Sequence, residues 1–487
     1  MSGLKSLFKQ TFIYGLATVL PRMLSFLLVP LYTTKGVLSS VAEYGKVSII
    51  FSWFVIFNVL LAYGMETAFF RFFNKEDDQD KVVGTSGIAL VFSSFAFFAL
   101  ALLFQNQIAE FTNINVEFIR LVIWILLLDA LVIIPFAWLR ANSRSMTYAI
   151  VKIMNVAVNL GLNVFFLIYL KKWAVNNDFI AGFYRTNFEI NYIFISNLVA
   201  SALTLILMSR FYIQMQYLFD KQLFKQMFWY AFPVLIAGLA FSINETFDRI
   251  LLDYLLPDSI AETKVGMYSA CYKIAIFMTL FATAYRLGIE PYFFSHAKTE
   301  NPQKNYALIL EFFVAFGSIM LLTVVVFADV LKPYIVRSEA YWEAMWIVPL
   351  ILIANLCLGI YHNLSVWYKV TDRTKYGAYI SVFGAFITLG LNFLLIPIME
   401  YRGSAIATLV AYASMMVASY YYGQKYYPIP YNLKKMALYL VLSSAFSIVS
   451  FYVYRENYVV GISLLMIFLL LVVRIEKNQI KHLLKTK

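Results

Sequence analysis

Charge is scarce in this sequence: 14% of its 487 residues are Asp, Glu, Lys or Arg, where a soluble globular domain carries about 25%. Cysteine is scarcer still. Cys271 and Cys357 lie in separate apolar runs, so neither a disulfide framework nor a CxxC redox pair is encoded. The three histidines, His296, His362 and His482, are too scattered for a metal site. A GxxxxGK[ST] loop is missing, which excludes an ATP-driven motor, and so is the GxSxG elbow of a serine hydrolase. The longest polar connections, near 171–190 and 249–264, leave no room for a soluble domain.

What is abundant is apolar surface: 62% of the chain is hydrophobic, with 45 Phe, 35 Tyr and 8 Trp. A helix needs about 20 apolar residues to cross a hydrocarbon core of about 30 Å. Runs of that kind recur fourteen times, at 11–33, 45–66, 83–104, 117–139, 148–170, 191–213, 227–248, 265–288, 305–327, 343–367, 375–398, 403–423, 434–454 and 458–474. The chain reads as an all-α polytopic membrane protein. Lys5 and Lys9 precede a long apolar stretch without a small-residue cleavage site, which reads as a retained first helix.

The net charge of +12 is informative only once it is apportioned to loops. With the N-terminus in the cytoplasm, 24 of the 39 Lys and Arg fall on inner segments and 12 on outer ones, while Arg22, Lys273 and Arg286 lie within spans. That bias places both termini inside. Because the basic residues are spread over loop after loop, no nucleic-acid partner is expected.

The sequence also repeats itself in order. Phe8-Lys9-Gln10-Thr11-Phe12-Ile13-Tyr14 returns as Phe224-Lys225-Gln226-Met227-Phe228-Trp229-Tyr230, an offset of 216. Tyr44 and Glu66 match Tyr268 and Glu290 at offset 224; Leu160-Gly161-Leu162-Asn163 matches Leu389-Gly390-Leu391-Asn392 at 229. The offset spans six helices, an even number, so both copies enter the membrane in the same direction. Parallel repeats of this kind frame the substrate path of many transporters. The expected organisation is a six-helix lobe over 1–213, a second over 214–424, and two further helices with a basic tail over 425–487.

Leu20-Pro21 in the first helix, Phe232-Pro233, Asn244, Asp248-Arg249 and Gly266-Met267-Tyr268-Ser269 in the second half, and the fourteen spans together resemble the polysaccharide-transporter branch of the multidrug/oligosaccharidyl-lipid/polysaccharide exporter superfamily. The resemblance implies two lobes in a V around a cationic cavity. It further implies a flippase that carries undecaprenyl-pyrophosphate-linked oligosaccharide from the inner to the outer leaflet of a bacterial inner membrane. A monomer, with other polysaccharide-assembly membrane proteins as partners, is implied in the same way. The nearer alternative is a drug/cation antiporter of the same superfamily, whose site should be lined with carboxylates. An intramembrane glycosyltransferase, acyltransferase or polymerase would need a large catalytic outer loop or an acid/His cluster; neither is present, and no enzyme is expected.

Charges at mid-span are expensive and therefore mark candidate sites. Arg22 follows Pro21 halfway along the first helix, and a guanidinium fork matches phosphate oxygens, so it is a candidate pyrophosphate clamp; its structural alternative is a pair with Asp129. Lys273 is a candidate second phosphate contact, and Arg286 reads as a helix-end residue paired with Glu290. Asp129 is a candidate for proton or sodium coupling, because burial penalises a carboxyl's charged form. Lys152, Asn155, Asn159 and Asn163 fall at steps of three, four and four, one polar stripe that either binds sugar hydroxyls or ties helices together. Glu66 and Glu290, like Asp248 and Arg249, are candidate gates or plain helix-end anchors. No cofactor is expected.

Overall fold

The computed structural model describes residues 15, 17, 19–295 and 301–485, with the side chains at 290–292, 294–295 and 478–485 outside the description. Among the described residues thirteen helices are long and apolar enough to cross a membrane, and a shorter apolar helix, Val19–Tyr32, precedes them. In chain order these are α1 Val19–Tyr32, α2 Val41–Lys75, α3 Gln79–Leu103, α4 Val116–Ala141, α5 Ser145–Ala174, α6 Glu189–Gln214 and α7 Lys221–Leu255. They continue as α8 Ala261–Ile289, α9 Pro302–Val326, α10 Glu339–Val370, α11 Lys375–Met399, α12 Tyr401–Tyr426, α13 Leu433–Val453 and α14 Tyr458–Lys477. Of the first expected run, 11–33, residues 11–14, 16 and 18 lie outside the described residues, and each helix overlaps one expected run. Most extend beyond it, because a helix continues through its polar caps after hydropathy has faded. Local chemistry sets those starts: the side chains of Ser40, Asp78, Asp220 and Asn432 accept first-turn N–H groups of α2, α3, α7 and α13.

The chain divides into two compact units, Met1–Gly266 and Met267–Lys487. The first therefore holds α7, which lies along both halves of α2. Close backbone approach makes that packing possible. α2 bends at Tyr63 and Gly64, both with positive φ, and a Cβ on Gly64 would lie 2.4 Å from the Ala231 carbonyl oxygen. At the other end of α2, a Cβ on Gly45 would lie 1.9 Å from the Glu262 carbonyl oxygen, and one on Gly266 would lie 2.2 Å from that of Val41. Small residues at such crossings bring helices close enough for dense contact, the main attraction available between apolar helices in lipid. Below the bend, Met65, Phe69, Phe72 and Phe73 pack with Leu90, Ile134 and Met227 into a buried core.

In the second unit α10 is the most enclosed span, packed against α9 and α12. The hairpin of α13 and α14 is fastened to α9 by polar clusters near opposite ends. At one end Asp329, just past α9, accepts hydrogen bonds from Lys332 at 2.7 Å and from Arg455, in the turn between α13 and α14, at 3.0 and 3.1 Å. Burial opposes the charged form of Asp329, but the bonds from Arg455 and Lys332 outweigh it and hold its carboxyl below the ordinary range. A carboxyl depressed in the folded state adds stability above its unfolded value of about 3.9 and loses it as pH falls further. Asp329→Asn is accordingly expected to lower the thermal midpoint of the purified protein at pH 7, and the gap from wild type should close as the pH drops below that value. A gap unchanged by acid would show that the ion pair adds nothing. At the opposite end, Lys435 of α13 bonds Glu311 of α9 at 2.9 Å and Glu476 of α14 at 2.7 Å.

Candidate functional site

The polar groups of the first unit gather on α4, α5 and α6. α4 is interrupted between Leu131 and Ile133, and Pro135 explains why: without an N–H it leaves the Leu131 carbonyl without its helical partner. The Tyr212 hydroxyl of α6 donates to that carbonyl instead. Two residues before the break, Asp129 accepts from the Ser201 hydroxyl of α6 at 2.7 Å, with the Lys152 ammonium of α5 within electrostatic reach. Lys152 itself lies 4.1 Å over the Phe136 ring, a cation–π contact on the segment after the break.

Farther along the α5 stripe, the Asn155 amide donates to the Thr204 hydroxyl of α6 at 2.9 Å. Asn163 is fully buried: it accepts from the Tyr32 hydroxyl of α1 at 2.8 Å, and its amide donates to both the carbonyl and the side-chain oxygen of Asn159 at 2.8 Å. The stripe therefore joins α5 to α6 and to α1, with Asn159 half-buried between. In the second unit Asn392, the counterpart of Asn163, is equally buried and donates to the carbonyl four residues earlier, Thr388, at 2.7 Å. The match in burial and in the back-bonded amide gives the sequence repeat a physical counterpart.

Arg22 stands exposed on α1, and Lys273 is half-buried in a tight turn within α8. Glu66 opens the segment of α2 after its bend and pairs with Arg140, at the end of α4, at 2.7 Å; Arg140 also lies 4.8 Å over the Phe70 ring. Both partners are exposed, so the pair can open without stranding a buried charge. Asp248 and Arg249 form a buried pair near the end of α7, with the guanidinium 2.8 Å from the carboxylate and 3.0 Å from the Glu245 carbonyl oxygen. Glu290 lies in the α8 region, and its side chain is outside the described residues. A cavity of about 630 Å³ lies among α2, α3 and α7, lined by Tyr63, Phe92, Ser93, Phe219, Phe224 and Phe228. Among the described residues no group of His, Cys, Asp and Glu is placed to hold a metal.

Sequence reading missed two features here. The Glu66–Arg140 pair joins residues on separate helices, with no local signal beyond a charge at each helix end. The cavity is built from aromatics on separate helices, which no spacing within one helix connects. Its one signal was the Phe224–Phe228 segment of the repeat.

Solved structures of low sequence similarity share this architecture. The lipid II flippase MurJ in an inward closed conformation matches over 96% of this chain and 100% of its own, with TM-score 0.72 and 14% identity. An inward-facing multidrug resistance MATE transporter of the MOP superfamily matches over 82% and 93%, with TM-score 0.65 and 12% identity. A MOP transporter from Pyrococcus furiosus, described as having a binding pocket of reverse polarity, matches over 88% and 96%, with TM-score 0.58 and 11% identity. No curated protein matches in sequence. A family model described as "Polysaccharide biosynthesis protein" matches residues 7–297, more than half of the chain, and the protein thus belongs to that family, carried on the fold of the MOP exporters.

Proposed function

We propose that this protein is a flippase that moves undecaprenyl-pyrophosphate-linked oligosaccharide across a bacterial inner membrane by alternating access, with both termini in the cytoplasm and Arg22 and Lys273 holding the pyrophosphate. Membership of the polysaccharide biosynthesis family carries this reading. The residue chemistry supports it. A guanidinium one position after a helix proline can grip two phosphate oxygens at once. The partly buried Asn155 and Asn159 lie on one face of α5, where sugar hydroxyls find donors and acceptors, and the fully buried Asn163 acts through its bond to Asn159. The aromatic cavity of the first unit suits a hydrocarbon chain. Asp129 is the proposed coupling residue for a proton or sodium gradient, and Glu66, Glu290, Asp248 and Arg249 are the proposed gate residues.

The test is reconstitution in proteoliposomes with a fluorescent undecaprenyl-pyrophosphate oligosaccharide. Arg22→Ala is expected to slow translocation about tenfold or more, the loss of one charge-assisted bidentate contact, and Arg22→Lys to recover part of it. Full-rate transport by both variants would remove Arg22 from the substrate site. Wild-type protein that moves organic cations and no lipid-linked glycan would establish the antiporter instead.

A further inference from the structure

The turns that join α4 to α5 and α10 to α11 have the same build, one in each unit. Ser143 and Asp372 both take positive φ, and the next N–H, of Arg144 or Arg373, donates at 2.8 Å to the carbonyl five residues back, that of Leu139 or Tyr368. Each turn delivers its arginine onto an aromatic ring: Arg144 lies 4.7 Å over Trp138, and Arg373 lies 4.4 Å over Tyr426. The second turn gathers more charge. Lys425 lies 5.6 Å over the same Tyr426 ring, so two like charges converge on one aromatic, and Lys375 opens α11 just after Arg373. Arg373, Lys375 and Lys425 are exposed, and among the described residues none of them pairs with a carboxylate; nor does Asp372, the acid of the turn, form an ion pair. In the first turn Arg140 is paired with Glu66, and no second cation lies over Trp138 among the described residues.

The rings around these cations lead to an apolar surface. Tyr426 stacks on the buried Trp367, and it meets Tyr376, which in turn meets Tyr379, with centroids 5.0 and 6.1 Å apart. Tyr379 heads an exposed face of α11 that continues as Phe383 and Phe386, at steps of four and three. Cations that share a ring and lack a counter-ion repel one another, and an anion between them relieves the repulsion. A guanidinium over a ring keeps the N–H donors of its edge free for phosphate oxygens. α11 also starts without a side-chain cap, which leaves its first N–H groups to the same anion. We propose that Arg373, Lys375 and Lys425 hold the phosphate of an anionic phospholipid of the surrounding membrane, whose chains lie along Tyr379, Phe383 and Phe386. A soluble phosphate would use the cations alone; the apolar face that begins beside them, in a chain that spans the membrane, selects a lipid. Nothing in this requires the flippase reading.

The experiment is native mass spectrometry of the full chain, stripped of lipid in detergent and titrated with phosphatidylglycerol, with phosphatidylcholine and with glycerol 3-phosphate, which has the charge without the chains. Wild type is expected to take up phosphatidylglycerol more tightly than either of the others. Arg373→Ala combined with Lys425→Ala is expected to weaken that binding about tenfold or more, the loss of a charge-assisted contact. Arg144→Ala, in the turn with a single cation over its ring, is expected to leave it unchanged. Tyr379→Ser should weaken phosphatidylglycerol and leave glycerol 3-phosphate as it was. Should the double alanine variant fail to fold, Arg373→Gln with Lys425→Gln keeps the stems over Tyr426 and is expected to show the same loss. Equal affinity for the two phospholipids, or phosphatidylglycerol binding that neither double variant weakens, would overturn the proposal. Glycerol 3-phosphate bound as tightly as phosphatidylglycerol, or undecaprenyl pyrophosphate bound there in preference, would overturn the assignment to a membrane phospholipid.

Discussion

Gly45→Ala is expected to destabilise the protein strongly. The added methyl would sit 1.9 Å from the Glu262 carbonyl oxygen, a backbone atom that no rotamer change can move aside, and Gly266 leaves as little room on the facing helix. Relief requires α2 and the start of α8 to separate. Overpacking of a close-packed interior ordinarily costs about 1–3 kcal/mol and more where backbone must shift, so a loss at or above the top of that range is expected, with a thermal midpoint lower by several degrees. Gly36→Ala serves as the control: nothing lies within 4 Å of an added Cβ there, so its cost is confined to the backbone strain of its positive φ, which Gly45 does not share. Size-exclusion profiles and thermal midpoints of the two variants decide the matter. Equal behaviour would mean that α2 and α8 have room to separate.

Lys435→Met is the second large effect. The methionine matches the stem of lysine in length and apolarity, so little packing is lost, but Glu311 and Glu476 are left buried on adjoining helices without their shared ammonium. Removing one partner of a buried ion pair costs about 3–5 kcal/mol, because the charge that remains cannot reach water. Partial unfolding of the α13–α14 hairpin is expected, read as faster proteolysis between Val453 and Tyr458 and a lower thermal midpoint. Adding Glu311→Gln to Lys435→Met should restore part of the loss. A double variant no better than the single one would show that packing, not charge, holds the hairpin in place.

The helical plan was legible because the bilayer is a demanding solvent. Every backbone group inside it must bond within its own helix, so each span needs an apolar run of nearly fixed length, and hydropathy finds it. Among the described residues thirteen of the fourteen runs coincide with spanning helices for that reason, and the first with the shorter helix Val19–Tyr32. The differences lie at the ends: α7 runs from Lys221 to Leu255, where 227–248 was expected, because Asp220 caps its start and polar residues continue its helix beyond the apolar core. The repeat was legible too, since Asn163 and Asn392 keep one burial and one back-bonded amide.

Partnerships were not. The sequence offers Asp129 as a counter-ion to Arg22; the structure gives it the Ser201 hydroxyl and the field of Lys152, from helices that sequence spacing does not connect. Glu311, Lys435 and Glu476 lie on three separate spans, far apart in sequence, yet they meet at one point.

The sequence by itself determined which segments are long and apolar enough to cross the membrane and which residues would be costly in lipid. Only the tertiary structure decided which of those costly groups face one another. Hydropathy reports the average surroundings of a helix, whereas a contact depends on the rotation of each helix about its axis and on crossings such as Gly45 against Glu262. Those are set by close packing among many side chains at once.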